Sequence, residues 1–166
     1  MFDFCVVGGG MVGSAMVLGL AKLGFKVAVI EPSMPVSFDP KQPPDMRVAA
    51  ISLTSEALLQ DMGAWAHIKE MRLCPYKRLS VWDKPSCRTD FDCKAINQPH
   101  LGHIIENRLV QLGLHAAIMK EQNVTFYENL KITDISSTDT SQVTLEDGQV
   151  IKAKLLIGAD GGNSVA

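Results

Sequence analysis

The apolar positions of this chain come in two textures, unbroken short runs near the N-terminus and spaced or alternating positions further on. Phe4-Cys5-Val6-Val7 reads as a short buried strand. Residues 11–23 read as a helix, with Gly24 as its C-terminal stop. Residues 26–31 (KVAVIE) form a second apolar run without alternation, the texture of a strand buried on both faces of a parallel sheet. Strand, glycine turn, helix and strand in about thirty residues make a βαβ unit. Six of the thirteen glycines fall between Gly8 and Gly24, and five of the eight prolines between Pro32 and Pro44, so residues 32–45 read as a connector. A second helix is expected from Thr54 to just before Gly63, with Leu58, Leu59 and Met62 as its apolar face, continued by Trp65. Residues 76–92 suggest one or two strands broken around Pro85. Residues 106–120 predict a helix with Leu109, Leu112, Ala116 and Ile118 inward. Short β segments follow at 124–128, 131–136 and 142–146. Asp147-Gly148 is a two-residue hairpin turn that returns the chain through 150–154, and 155–157 is one more apolar strand. The fold class expected is α/β: a Rossmann-like βαβ domain with a parallel sheet and a β-meander excursion.

Composition narrows the field only a little. At 166 residues the chain has room for one domain with a small appendage. Hydrophobic residues at 46% and charged residues at 20% are globular values. A net charge of −2 gives no electrostatic case for nucleic-acid binding. No charge interrupts residues 4–21, but no basic residue precedes that stretch and four glycines sit in its middle, so a soluble cytoplasmic protein without a targeting segment is expected. Cys5, Cys74, Cys87 and Cys93 form no CxxC pair and match no zinc spacing; they read as reduced thiols, Cys5 inside a core strand. His100 and His103 stand three apart, and no neighbouring acid or cysteine completes a ligand set, so no metal site is expected.

The strongest chemical signal is Gly8-x-Gly10-x-x-Gly13, placed directly after a buried strand and opening a helix. Gly8 allows the tight turn, Gly10 admits close approach of a pyrophosphate, and Gly13 lets helix and strand lie close. The free N–H groups at the helix start, where Met11 and Val12 stand, favour the anion. Glu31 follows Gly13 after seventeen residues, at the end of the second strand, where an acid accepts hydrogen bonds from a ribose and repels a 2′-phosphate. The motif alone does not separate FAD from NAD. Arg47, after the proline-rich connector, pairs with phosphate or a cofactor edge, or is a solvated surface arginine. Asp160-Gly161, after the last apolar strand, is a ligand loop at a strand's C-terminal end or an ordinary turn. Ser164 lacks the surroundings of a nucleophile elbow, and no residue here is assigned a catalytic role.

Together these residues resemble the flavin-dependent aromatic hydroxylases, the class typified by para-hydroxybenzoate hydroxylase. Gly8-x-Gly10-x-x-Gly13 with Glu31, the Arg47 segment, and Gly158-Ala159-Asp160-Gly161 with Asn163-Ser164 carry the resemblance. Residues 7–13, 47–51, 102–107 and 156–161 look most like the ubiquinone-biosynthesis subgroup, and residues 71–79 with Trp82 look like its demethoxyubiquinol branch. The resemblance implies FAD held at its pyrophosphate by Gly8, Gly10 and Gly13 with Met11 and Val12, and at its adenosine ribose by Glu31. It implies Arg47 reaching toward the FAD, the helix start near Glu106 lying along the flavin chain, and Asp160 and Gly161 forming an element shared by FAD and NAD(P)H. It implies that residues 76–103 begin a second, substrate-facing β-sheet.

The activity so implied is hydroxylation of a polyprenylated phenol or quinol ring, with molecular oxygen as co-substrate and NAD(P)H or another donor as the electron source. A greasy substrate tail implies peripheral membrane contact and, with it, contact with other quinone-biosynthesis proteins. Relatives continue well beyond this length, so residues 1–166 are expected to be the N-terminal part of an FAD-binding domain, self-associating or binding FAD weakly when isolated. Two rivals stand beside this reading. A small NAD-dependent dehydrogenase fits poorly with the β excursion over 124–154. A non-catalytic dinucleotide-binding module fits a chain without a substrate half.

Overall fold

The computed structural model describes residues 1–84, 86–137 and 140–164. In chain order the elements are β1 (Phe2–Val7), α1 (Met11–Lys22), β2 (Val27–Glu31), β3 (Val48–Ser52), α2 (Leu53–Asp61), α3 (Trp65–Lys69), β4 (Cys74–Tyr76), β5 (Arg78–Trp82), β6 (Arg88–Asp92), β7 (Gly102–Glu106), α4 (Asn107–Ile118), β8 (Val124–Glu128), β9 (Ile132–Ser137), β10 (Ser141–Leu145) and β11 (Val150–Gly158). Pro85, where a strand break was expected, lies outside the described residues, as do the two residues after Ser164.

A six-stranded sheet in the order β8-β2-β1-β11-β10-β9 organises the molecule. β8, β2, β1 and β11 run parallel, and β10 and β9 continue the sheet antiparallel. Alternation along each central strand sends one set of side chains to each face. Val6, Val27 and Val29 pack with Val17 and Leu18 of α1 and with Leu109, Leu114 and Ile118 of α4. Cys5, Ala28 and Ile30 pack on the opposite face with Val143, Leu145, Ile151 and Ala153. All five residues of β2 are buried, which is why its sequence shows no alternation.

The structure corrects the sequence expectations in several places. The segments 150–154 and 155–157 are one nine-residue strand. Its first half pairs antiparallel with β10 and its second half parallel with β1, and Ala153 is the residue where the two pairings meet. The 124–128 segment belongs to the parallel sheet beside β2, reached by the α4 crossover; the meander is β9, β10 and β11. The apolar residues after Arg47 form β3, which pairs antiparallel with β7; β4 flanks β7 on its other side. β5 and β6 form a separate hairpin. Glu106 closes β7 and stands at the N-cap position of α4, without a side-chain capping bond, instead of lying within the helix.

Two helix faces also differ. On α4 the buried stripe is Leu109, Val110, Gly113, Leu114, Ala117 and Ile118, while Leu112 and Ala116 are only half-buried. On α2, Leu59 is buried but Leu58 is half exposed. Leu58 lines an apolar groove with Met16, Leu20 and Leu23 of the α1 region and Met62. No helix among the described residues is long and apolar enough to cross a membrane.

Candidate dinucleotide-binding site

The glycine loop joins β1 to α1 at the C-terminal edge of the parallel strands, where ligands of such sheets bind. Gly8 has φ +99° and lies against the chain leaving β11: a Cβ there would stand 2.5 Å from the Ala159 carbonyl oxygen. A Cβ on Gly13 would overlap the Gly8 carbonyl oxygen. Both glycines are therefore required by the fold itself. Gly10 is different, because a Cβ there would have no neighbour within 4 Å. The space over Gly10 is left open by the protein.

Gly10 is also the N-cap of α1, and no side chain caps that helix or places an acid in its first turn. By contrast, α2 closes its own start, the Ser52 hydroxyl accepting from the Ser55 N–H at 3.3 Å. The uncapped start of α1 presents N–H groups and a positive dipole end to an anion.

The Gly9 peptide is fixed from both sides. Its N–H donates to Glu31 Oε2 at 2.7 Å. Its carbonyl accepts from Ser14 Oγ at 2.7 Å, Gln111 Nε2 at 2.8 Å and His115 Nε2 at 2.7 Å. In a trans peptide the next N–H points opposite to the carbonyl. Drawing the Gly9 carbonyl toward α4 thus turns the Gly10 N–H away from α4. His115 is buried, packs edge-on to Phe126 at 5.0 Å, and leaves Nδ1 without a hydrogen-bond partner. Burial holds its pKa below the usual histidine value, despite the opposing effect of the Gly9 hydrogen bond, so the ring is neutral at pH 7.

Beside the loop lies a cleft of about 510 Å³ bordered by Met11, Ser33, Asp45, Arg47, Asn107 and Gln111, among others. Its charges divide into two kinds. Glu106 is 4% exposed and faces inward, accepting from the Asp45 N–H at 2.9 Å and pairing with Arg72 at 3.3 Å. Arg108 pairs with Asp45 at 2.8 Å and donates to the Val36 carbonyl at 2.8 Å. These groups tie the proline-rich connector to the start of α4. Arg47 is exposed on the cleft wall, and no ion pair among the described residues engages it. Asn107 Oδ1 and Arg108 Nη2 are buried without a hydrogen-bond partner, although Nη2 stands 4.0 Å from Glu106 Oε2. A bound group carrying hydroxyls or phosphate would satisfy them.

The predicted residues are not all gathered equally. Met11 and Arg47 line the cleft, and Gly8, Gly10 and Gly13 form the loop at its edge. Asp160 and Gly161 come to the same place, because Gly8 packs on Ala159 and Asp160. The Asp160 carboxylate accepts from Ser164 Oγ at 2.7 Å, and Gly161 has φ +81° with open space above it. Glu31 is 9% exposed, and its two oxygens accept from the backbone N–H groups of Gly9 and Ser33 at 2.7 and 2.9 Å. Val12 turns its side chain outward, 74% exposed, into the apolar groove, so only its backbone N–H is available to the loop. The Glu106 carboxylate, expected along the flavin chain, is committed to Arg72 and Asp45.

The sequence reading missed Ser14, Asn107, Gln111 and His115. A signal for three of them existed: Asn107, Gln111 and His115 recur every four residues, a polar stripe on a helix that otherwise faces the core.

Comparison with known proteins agrees with this geometry. The chain is 40% identical to the 3-demethoxyubiquinol 3-hydroxylase of Escherichia coli (strain K12), covering 98% of this chain and 42% of that protein. It is 36% identical to the mitochondrial ubiquinone biosynthesis monooxygenase COQ6 of Xenopus tropicalis, covering 99% and 39% respectively. It thus spans about two fifths of the length of these curated relatives. Among solved structures, p-nitrophenol 4-monooxygenase PnpA from Pseudomonas putida DLL-E4 superposes with a TM-score of 0.74 at 24% identity, over 99% of this chain and 42% of that one. The Diels-Alderase PyrE3 superposes with a TM-score of 0.75 at 18% identity, over 99% and 33%. These two share the fold. Matched from residue 1 to residue 166, the chain belongs to the FAD binding domain family.

Proposed function

We propose that this chain holds FAD across the glycine loop and the cleft beside it, as the cofactor-binding segment of a monooxygenase that hydroxylates a polyprenylated quinol ring in ubiquinone biosynthesis. The observation that carries the reading is Gly10: it is the loop glycine whose missing Cβ no protein atom explains. The residues present fit the cofactor. The N–H groups of Gly10, Met11 and Val12 receive the pyrophosphate. Glu31 retains lone pairs for ribose hydroxyls after accepting from Gly9 and Ser33. Arg47 supplies the cation on the cleft wall, and Asn107 supplies an unpaired amide oxygen. Asp160 and Gly161 bound the site from the β11 side. FAD, when bound and reduced by NAD(P)H, supplies the oxygen-activating chemistry. The chain's own residues bind and orient it.

The quinol substrate rests on the relatives, whose names give ubiquinone biosynthesis and a demethoxyubiquinol hydroxylase. β4, β5, β6 and β7 would begin the face toward that substrate, whose polyprenyl tail would bring the protein to a membrane surface in the cytoplasm and beside other quinone-biosynthesis proteins. To test the reading, the intact protein is purified and its released flavin identified by chromatography. Turnover is then followed as quinol-dependent NAD(P)H oxidation, with the product gaining one oxygen atom. Stoichiometric FAD with quinol-dependent hydroxylation supports the proposal. Absence of flavin, or flavin with no hydroxylated product from any polyprenylated phenol or quinol, overturns it.

A further inference from the structure

We propose that Glu56, His100 and His103 form a binding site for one divalent transition-metal ion of the zinc class. His100 and His103 stand three apart, and along the chain no acid completes a ligand set with them; Glu56 lies 44 residues before His100. The fold brings it to them. Glu56 sits in the first turn of α2, His103 is the second residue of β7, and His100 stands just ahead of that strand. Glu56 Oε2 lies 3.0 Å from His100 Nε2 and 3.0 Å from His103 Nδ1. One ligand atom from each residue falls within 4.8 Å of the others. Around a tetrahedral zinc with ligand bonds of about 2.0–2.1 Å, neighbouring ligand atoms stand roughly 3.3 Å apart. The carboxylate–imidazole spacings need to open by only a few tenths of an ångström to admit the ion.

Three further observations favour a cation here. Glu56 is 9% exposed, and the only ion-pair partners of its carboxylate among the described residues are these two imidazoles, both aimed at the same oxygen. A divalent ion compensates that buried charge directly. The ligands are also held from behind. Gln60 Nε2 donates to the other Glu56 oxygen at 3.1 Å, and the Trp65 ring packs on His103 at 5.3 Å. Supporting contacts of this kind orient metal ligands. Finally, His103 is buried while His100 is half-buried, which leaves the His100 side as the route by which an ion enters. Two imidazoles and one carboxylate without thiolate suit zinc and its neighbours in the first transition row better than magnesium or calcium. The site is distinct from the flavin cleft: none of its three residues borders that cleft, and the ion would fasten α2 to β7.

The test uses the intact flavin-loaded protein, stripped of metal with a chelator and dialysed. Zinc chloride is titrated by calorimetry, and bound zinc is counted by mass spectrometry. The expected result is one zinc per chain at micromolar or tighter affinity, weakened at least tenfold by Glu56→Gln and by His100→Ala. His67→Ala, whose ring contacts Lys120 and none of the three ligands, should leave it unchanged. Because His100 is half-buried, its replacement by alanine is the variant that keeps the fold, and circular dichroism checks this. X-ray absorption of the zinc complex should show nitrogen and oxygen neighbours only. Failure to bind zinc, binding unaltered in Glu56→Gln and His100→Ala, or a sulfur neighbour indicating a cysteine site would each overturn the proposal.

Discussion

Replacing Gly10 by alanine separates what the fold needs from what a ligand needs. Gly10 has φ −67° and ψ −174°, a conformation any L residue adopts, and an added Cβ meets no atom within 4 Å. Two small effects then act on stability. Removing a glycine lowers the entropy of the unfolded chain and stabilises by about 0.4–1 kcal/mol. Alanine is a poorer N-cap than glycine, which costs up to about 1 kcal/mol. They nearly cancel, and the melting temperature of the FAD-free protein should move by no more than a few degrees. The cofactor meets a different situation. A phosphate oxygen accepting from the loop stands about 2.9 Å from a backbone nitrogen. A methyl group in the same space forces it outward and weakens those bonds. A loss of about 1.4–2.8 kcal/mol, ten- to a hundredfold in Kd, is the expected size. Titration of the FAD-free protein, followed by flavin fluorescence, gives the Kd, and a thermal melt gives the stability. Unchanged FAD affinity in a well-folded Gly10→Ala variant would refute the placement of the pyrophosphate over this glycine. A large fall in melting temperature would refute the claim that the space is open.

Gly13→Ala should do the reverse, destabilising the FAD-free protein by about 1–3 kcal/mol or more, because its Cβ overlaps the Gly8 carbonyl; a denaturant titration measures this. Arg47→Ala should weaken FAD binding several-fold with little change in denaturation midpoint, since the side chain is exposed and outside any described ion pair, whereas Arg108→Ala should lower the midpoint as the Asp45 pair and the Val36 contact are lost. His115 has a folded pKa below its ordinary 6.5, so the unfolded chain takes up its proton first. Its contribution to stability is complete above about pH 6.5 and declines as pH falls from there toward the folded pKa. Stability–pH curves of the protein and of His115→Gln should therefore diverge on that acid side, and parallel curves would remove His115 as the cause. Burial pushes the Cys5 thiol pKa up to about 12, so a thiol reagent at neutral pH should label the exposed Cys74 and Cys87 and leave Cys5 unmodified in peptide maps of the folded protein.

Local rules made the βαβ core legible. The apolar runs at β1 and β2 and the glycine spacing between them are short-range signals. Asp147-Gly148 marks the turn between β10 and β11, although the structure closes it as a three-residue loop, 146–148, with Gly148 at φ +84°, and not as the expected two-residue turn. What stayed hidden depends on distant partners. Nothing within residues 150–158 tells that one strand changes neighbours at Ala153, because that is set by where β1 and β10 lie. β3 is short and its burial alternates weakly, and only pairing with β7, about fifty residues later, makes it a strand. Glu106 shows the same limit at the site. A glutamate at a helix start reads as available, but Arg72 and Asp45, from two other segments, occupy it.

The polar groups around the glycine loop can be divided by asking which of them the protein already satisfies. Ser14, Gln111 and His115 all spend a donor on one carbonyl, and Glu31 accepts from two backbone N–H groups. These side chains come from α1, α4 and β2, so the shape of the loop is specified by three elements at once, before any ligand arrives. Such a preset loop saves a ligand the cost of ordering it. What the frame leaves unsatisfied is the uncapped start of α1, the Arg47 guanidinium, and the buried oxygen of Asn107. Two of these attract negative charge and the third accepts a hydrogen bond. That combination suits a molecule with phosphates at one point and hydroxyl donors further along. A bare anion would leave Asn107 unpaired, and a neutral sugar would leave the helix start and Arg47 unpaired. A ligand that carries both, as FAD does, would satisfy all three.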